Sequence, residues 1–191
     1  ALPIYSFSLA ISARVPGLLA PANFNIGGRQ YLAAFHGNSG TVVSNGGVPG
    51  TAAAPAIAQE VLVLYGIGFG AVNPATPAGQ IASGQTALAG TFAINIGGLA
   101  AAVQYAGLAP GLVGVYQFNV VVPSGLPAGD HPVQYSLDGV AGRQTLFLPV
   151  AVADTGVAFT LTSSVGANGG VLSAEYTCDG PGSTIPLAWS N

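Results

Sequence analysis

The chain has 191 residues, half of them hydrophobic, which is enough apolar material to bury a sizeable core as one large or two small domains. Charged residues are only 5% of the chain, three arginines facing six acids with no lysine, so no basic surface can neutralise a row of phosphates or dock on an anionic bilayer, and nucleic acid is excluded as a partner. No apolar run reaches the roughly 18 residues of a membrane span, while a nearly uncharged surface of Gly, Ala, Ser, Thr, Asn and Gln offers little self-repulsion and favours association of like chains.

The first element is the cleanest. In ALPIYSFSLAIS the large residues Tyr5, Phe7, Leu9 and Ile11 alternate with Ser6, Ser8, Ala10 and Ser12, which puts all the bulk on one face of a strand. The same terminus lacks both Met and the basic start of a signal peptide, and is expected to belong to a processed, secreted product. Period two continues through segments 30–36, 60–65, 91–96, 101–105, 115–122, 131–137, 143–152, 157–163 and 172–178. Turn signals separate them: NIGG, NSG, NGG, PSGLPAGD, SLDGVAG and GANGG. One stretch, GTAAAPAIAQ, has the composition of a helical turn, and Pro55 interrupts it.

Many short strands with Gly/Pro turns predict an all-β chain built on an immunoglobulin-like β-sandwich. The block 56–153 holds about seven of them, the size of one such domain. Residues 1–55 form an N-terminal strand and β-rich segment, and residues 154–191 a C-terminal β-hairpin segment. Each flank is too small and glycine-rich to bury a core alone, so both are expected to pack on the sandwich or on a partner.

The stretch VLVLYGIGFGAVNP invites comparison with a phosphate-cradling loop. The spacing is G-x-G-x-G, not G-x-G-x-x-G, and Pro74, Pro77, Gly79 and Gly84 follow where a helix would have to start. With no lysine for a P-loop either, Gly66, Gly68 and Gly70 read as a glycine-rich bend at a strand end. His36 and His131 are 95 positions apart with no cluster at zinc-ligand spacing. Asp130 and His131 are sequence neighbours in a turn, which does not make a catalytic pair. Glu60, Asp138, Asp154, Glu175 and Asp179 are scattered without a calcium-loop pattern. Cys178, alone, cannot form an internal disulfide and reads as a small half-buried hydrophobe. Trp189 and Tyr176 suggest a sugar platform, although aromatic residues in a sandwich more often belong to its core. No catalytic, cofactor-binding or metal-binding residue is expected.

Two resemblances add to this reading. LYGIGFG at 64–70, IGG followed by VQYAGLAPGLVGVYQFNV within 96–120, and VP with LPAGDHPV within 121–133 are together similar to the Ig-like, IPT/TIG-related repeat of large secreted bacterial proteins. With ARVPGLLA and GGRQYLAAFHGNSG as a leading segment, the similarity covers about 13–152. It implies an extracellular structural module and brings no catalytic residues. From Phe159 to Asn191 the chain resembles the opening strands of the phosphatidylethanolamine-binding, Raf-kinase-inhibitor-like family, most clearly in YTCDG and PLAWS. The segments that build that family's anion pocket do not occur here, so no ligand is carried over.

The expected function is a structural subunit of an extracellular bacterial filament or surface assembly, a homopolymer joined by strand donation from residues 2–12. Its expected interface residues are Tyr5, Phe7, Leu9 and Ile11, with Phe159 and Leu161 of the C-terminal hairpin at another junction. The alternative is a spacer or adhesion module of a larger secreted protein, with glycan as its contact.

Overall fold

The structure, a computed structural model, describes residues 12, 14–48, 52–152, 160–167 and 169–190. Residues 1–153 form one compact unit and residues 154–191 a second. Among the described residues the only helical pieces are two 3-10 turns, Ala22–Phe24 and Ala174–Tyr176, so the chain is all-β as its periodicity implies.

In the first unit one hydrogen-bonded path runs through Ala53–Ala54, Val42–Val43, Ala34–His36, Val61–Ile67, Tyr116–Val121, Leu99–Leu108, Phe92–Ile96, Gly129–Leu137, Leu146–Ala151 and Ala56–Ile57. Neighbours are antiparallel except at the two ends, where Ala53–Ala54 runs parallel to Val42–Val43 and Ala56–Ile57 parallel to Leu146–Ala151. Those end strands are consecutive in the chain with Pro55 between them. The backbone itself therefore bridges the two ends of a nearly closed sheet. The sequence leads to two separate packed sheets; the ten-residue strand Leu99–Leu108 makes them one. Its first residues pair with Ile94–Ile96 and the remainder with Tyr116–Val121, with a register shift between Val103 and Tyr105. Such an extra residue bends a strand and increases its twist.

Alternation decides what lies inside. Tyr116, Phe118, Val120 and Val122 from one half, and Leu146, Leu148 and Val150 from the other, are all buried in one cluster, as their period-two spacing predicts. Phe69 and Phe92 join the halves: the Phe92 and Phe118 ring centroids are 4.2 Å apart, those of Phe69 and Phe118 4.7 Å, and those of Phe69 and Tyr135 6.1 Å. Offset and edge-on rings at such distances add to the effect of burial itself.

The glycines after Tyr65 do form a corner. The backbone at Gly68 has φ of 76°, and a side-chain carbon there would overlap the Val15 carbonyl. That close approach seats the N-terminal segment: the Val15 N–H donates to Gly68 O, Gly17 and Leu18 pair with Ile67 and Gly66, and the Leu19 N–H donates to Tyr65 O. The outer edge of Leu18 is finished by a side chain. Gln144 Oε1 accepts the Leu18 N–H at 2.8 Å and Gln144 Nε2 donates to Leu18 O at 2.8 Å, imitating a neighbouring strand.

Several strand limits differ from the periodicity. Segment 30–36 divides into Arg29–Gln30 and Ala34–His36, because the chain between them turns aside to pair Tyr31 with Phe147 on the far half. Segment 101–105 grows to Leu99–Leu108, since the small residues Ala100, Ala106 and Gly107 extend a ladder without carrying an apolar signal. Segment 172–178 is not a strand. It holds the turn Ala174–Tyr176, whose Thr177 N–H and hydroxyl both bond to Ala174 O in place of a cross-strand partner.

Candidate functional site

The two histidines do not meet. His36, buried, places Nδ1 2.9 Å from Glu60 Oε2 and Nε2 3.1 Å from Ala54 O. His131 directs Nε2 at Pro127 O, 2.8 Å away. Asp130 is turned away from its sequence neighbour and is committed elsewhere: Oδ2 accepts from Arg29 NH1 at 2.9 Å and from the Tyr31 hydroxyl at 2.7 Å, while Oδ1 accepts from Asn45 Nδ2 at 3.0 Å. The Arg29 guanidinium also lies 5.3 Å from the centre of the Phe147 ring. Burial, followed by the bond to the Asp130 carboxylate, raises the Tyr31 hydroxyl above its ordinary pKa, so it remains a donor at neutral pH. This cluster ties residues 29–31 and 45 to the strand Gly129–Leu137. Sequence reasoning missed it because its members are up to 101 positions apart and none belongs to a recognisable motif.

Asp138, Arg14 and the Thr91 N–H make a second polar contact, with the carboxylate accepting from both. It borders a cleft of about 270 Å³ whose other walls are Phe69–Ala71 and Ala89–Gly90. A shallower groove of about 410 Å³ is lined by Gln59, Leu99, Ala100, Ala102 and Val121–Ser124, none of them titratable. Among the described residues no group of three or more His, Cys, Asp or Glu side chains is close enough to hold a metal ion.

The interface residues expected from sequence fall in two classes. Tyr5, Phe7, Leu9, Ile11 and Phe159 lie outside the described residues. Leu161 is on the strand Thr160–Ser163, which pairs antiparallel with Leu187–Ser190 as a two-stranded ribbon. Leu161 stands opposite Trp189, and Leu187, two positions before Trp189, shares their face. These three are 55%, 70% and 55% exposed for Leu161, Trp189 and Leu187, and no described side chain between Thr160 and Trp189 is buried. Trp189 is thus a surface residue and not part of a core, against the expectation for aromatics in a sandwich. Cys178 is likewise exposed, where a half-buried position was expected.

Among the described residues no helix is long and apolar enough to cross a membrane. Comparison with protein-family models, with characterised proteins and with solved structures finds no match for the chain.

Proposed function

We propose that the chain is a structural subunit of an extracellular bacterial filament or surface assembly, an immunoglobulin-like module that polymerises with copies of itself. The observation that carries this reading is the C-terminal ribbon. A two-stranded ribbon is at best marginally stable in water, and this one presents Leu161, Leu187 and Trp189 on one face without a charged residue in either strand. Natural edges are normally blunted with charge or proline inside the strand. A surface with neither, on a chain that is 5% charged, suits burial against another copy. The immunoglobulin-like reading draws support from one core shared by the two halves of the strand path and from Pro55, where the chain passes between the ends of that path as strands do at sandwich corners.

Strand donation by residues 2–12 supplies the joint. An extended segment added to a sheet edge gains main-chain hydrogen bonds, and its alternate side chains set the register. Burying Tyr5, Phe7, Leu9 and Ile11 contributes roughly 6–12 kcal/mol before ordering costs, at about 1.5–3 kcal/mol each. Negative-stain microscopy of the full chain and of a form lacking residues 1–12 tests this. The expected outcome is fibres from the first and folded, dispersed monomers from the second. Ordinary fibres from the truncated chain would refute donation.

A second reading, an adhesion or spacer module, is favoured by the exposure of Trp189, whose ring is free to stack on a sugar. Quenching of Trp189 fluorescence by glycans, with no fibres under any condition, would select it.

A further inference from the structure

At the corner that closes the sheet, the side chains of His36 and Glu60 reach both sides of Pro55. His36 Nε2 faces Ala54 O at 3.1 Å, on the Ala53–Ala54 side. His36 Nδ1 faces Glu60 Oε2 at 2.9 Å, and the other oxygen of the same carboxylate, Oε1, accepts the Ile57 N–H at 2.7 Å on the Ala56–Ile57 side. The His36 and Glu60 side chains are 10% and 15% exposed, so water is a poor substitute for these partners.

Both ring nitrogens of His36 therefore face acceptors. A neutral imidazole has one N–H and one lone pair, and can satisfy only one of them; the imidazolium donates to both. In the neutral ring the N–H goes to the carboxylate, the stronger acceptor, which sets the Nε2 lone pair against the Ala54 carbonyl. Other groups around the ring do not change this. The Val42–Val43 strand and the Ala53–Ile57 crossover carry no titratable side chain, the Val61–Ile67 strand carries Tyr65, whose ring packs edge-on against Phe35, and Glu60 supplies the charge.

We propose that His36 and Glu60 form a proton-operated latch on the Ala53–Ile57 crossover, closed with the imidazolium and loosened when His36 releases its proton to solvent. What loosens is the pair of parallel ladders at the ends of the sheet, on Val42–Val43 and on Val150–Ala151.

Amide hydrogen exchange of the full chain, with the titration of His36 followed by its own ring resonances, tests the latch. The reporters are the Ser44 N–H, which bonds to Ala54 O at 2.9 Å, and the Ile57 N–H; the Leu64 N–H, on the side of its strand that faces Phe118, is the reference. Protection factors at Ser44 and Ile57 are expected to fall about tenfold as His36 deprotonates, the loss of roughly one buried hydrogen bond, while Leu64 is unchanged. In Glu60→Gln the amide donates to His36 Nδ1, the neutral ring donates Nε2–H to Ala54 O, and the Gln oxygen still accepts from Ile57. That variant is expected to stay protected across the same range. Equal wild-type protection on both sides of the His36 titration overturns the latch, and so does the same pH dependence in Glu60→Gln. The wild-type measurement decides alone if the variant does not fold.

Discussion

Asp138 shows how much one residue gathers from far along the chain. Asp138 and Gly139 have φ of 51° and 78°, the positive pair that a two-residue hairpin loop requires, and Asp-Gly is a favoured dipeptide for it. The turn was legible in SLDGVAG. Its charge partner was not, because Arg14 is 124 positions away and reaches Asp138 only once the N-terminal segment lies along the glycine corner. The hydrogen bond from Arg14, followed by that from the Thr91 N–H, holds the Asp138 carboxyl below the usual carboxylate range. Because the folded-state value lies below the unfolded one, the ionised carboxylate stabilises the fold above the unfolded carboxyl's value. That contribution is lost as pH falls through the lower, folded value. Replacing Arg14 with Ala is expected to move the Asp138 titration upward and to weaken the acid dependence of stability, read by carboxyl-carbon NMR and by urea unfolding at several pH values. An unchanged Asp138 titration would mean that Arg14 does not bear on it.

At the scale of the element, strand identity follows from alternation wherever one face is buried, as in Tyr116–Val121 and Leu146–Ala151. Where both faces are small or polar the pattern says little. Leu99–Leu108 was therefore underestimated in length, and segment 172–178 took the form of a turn. Nor does alternation say whether an apolar face is covered. The ribbon of Thr160–Ser163 and Leu187–Ser190 has the spacing of an ordinary hairpin, yet Leu161, Leu187 and Trp189 are exposed. Trp189 is the only tryptophan in the chain, so its fluorescence reports on this ribbon alone. Dispersed chains are expected to show emission typical of a wet indole and easy quenching by acrylamide. In fibres the emission should shift to shorter wavelength with reduced quenching. Fibres with unchanged Trp189 emission would remove the ribbon from the subunit interface.

For the whole molecule, the principal buried cluster is built from residues between Leu18 and Val150, and a smaller one, around Phe24, Tyr31, Ala33 and Val48, lies within the same span. A chain truncated after Val152 is thus expected to melt within about 2 °C of the full chain. A larger shift in a domain of this size corresponds to about 1 kcal/mol of lost interaction, and the described residues after 160 bury no side chain to supply it. Calorimetry of the two forms checks this, and a fall of more than about 5 °C would show that the C-terminal unit contributes to the core.

The sequence alone determined the all-β class, the inward faces of the major strands, the glycine corner at Gly66–Gly70 and the very low charge of the chain. Those properties depend on local periodicity, backbone permissiveness and summed charge, each readable from neighbouring residues or from composition. Only the tertiary structure decided that the strands form one nearly closed path, that Gln144 finishes the edge at Leu18, that Asp130 serves Arg29, Tyr31 and Asn45 in preference to His131, and that His36 spans the Pro55 crossover. Each of these joins residues many positions apart through bonds whose partners are common polar groups. Spacing along a chain carries no signal for such pairs, because the choice among many chemically equivalent donors and acceptors is made by where packing of the apolar faces leaves them.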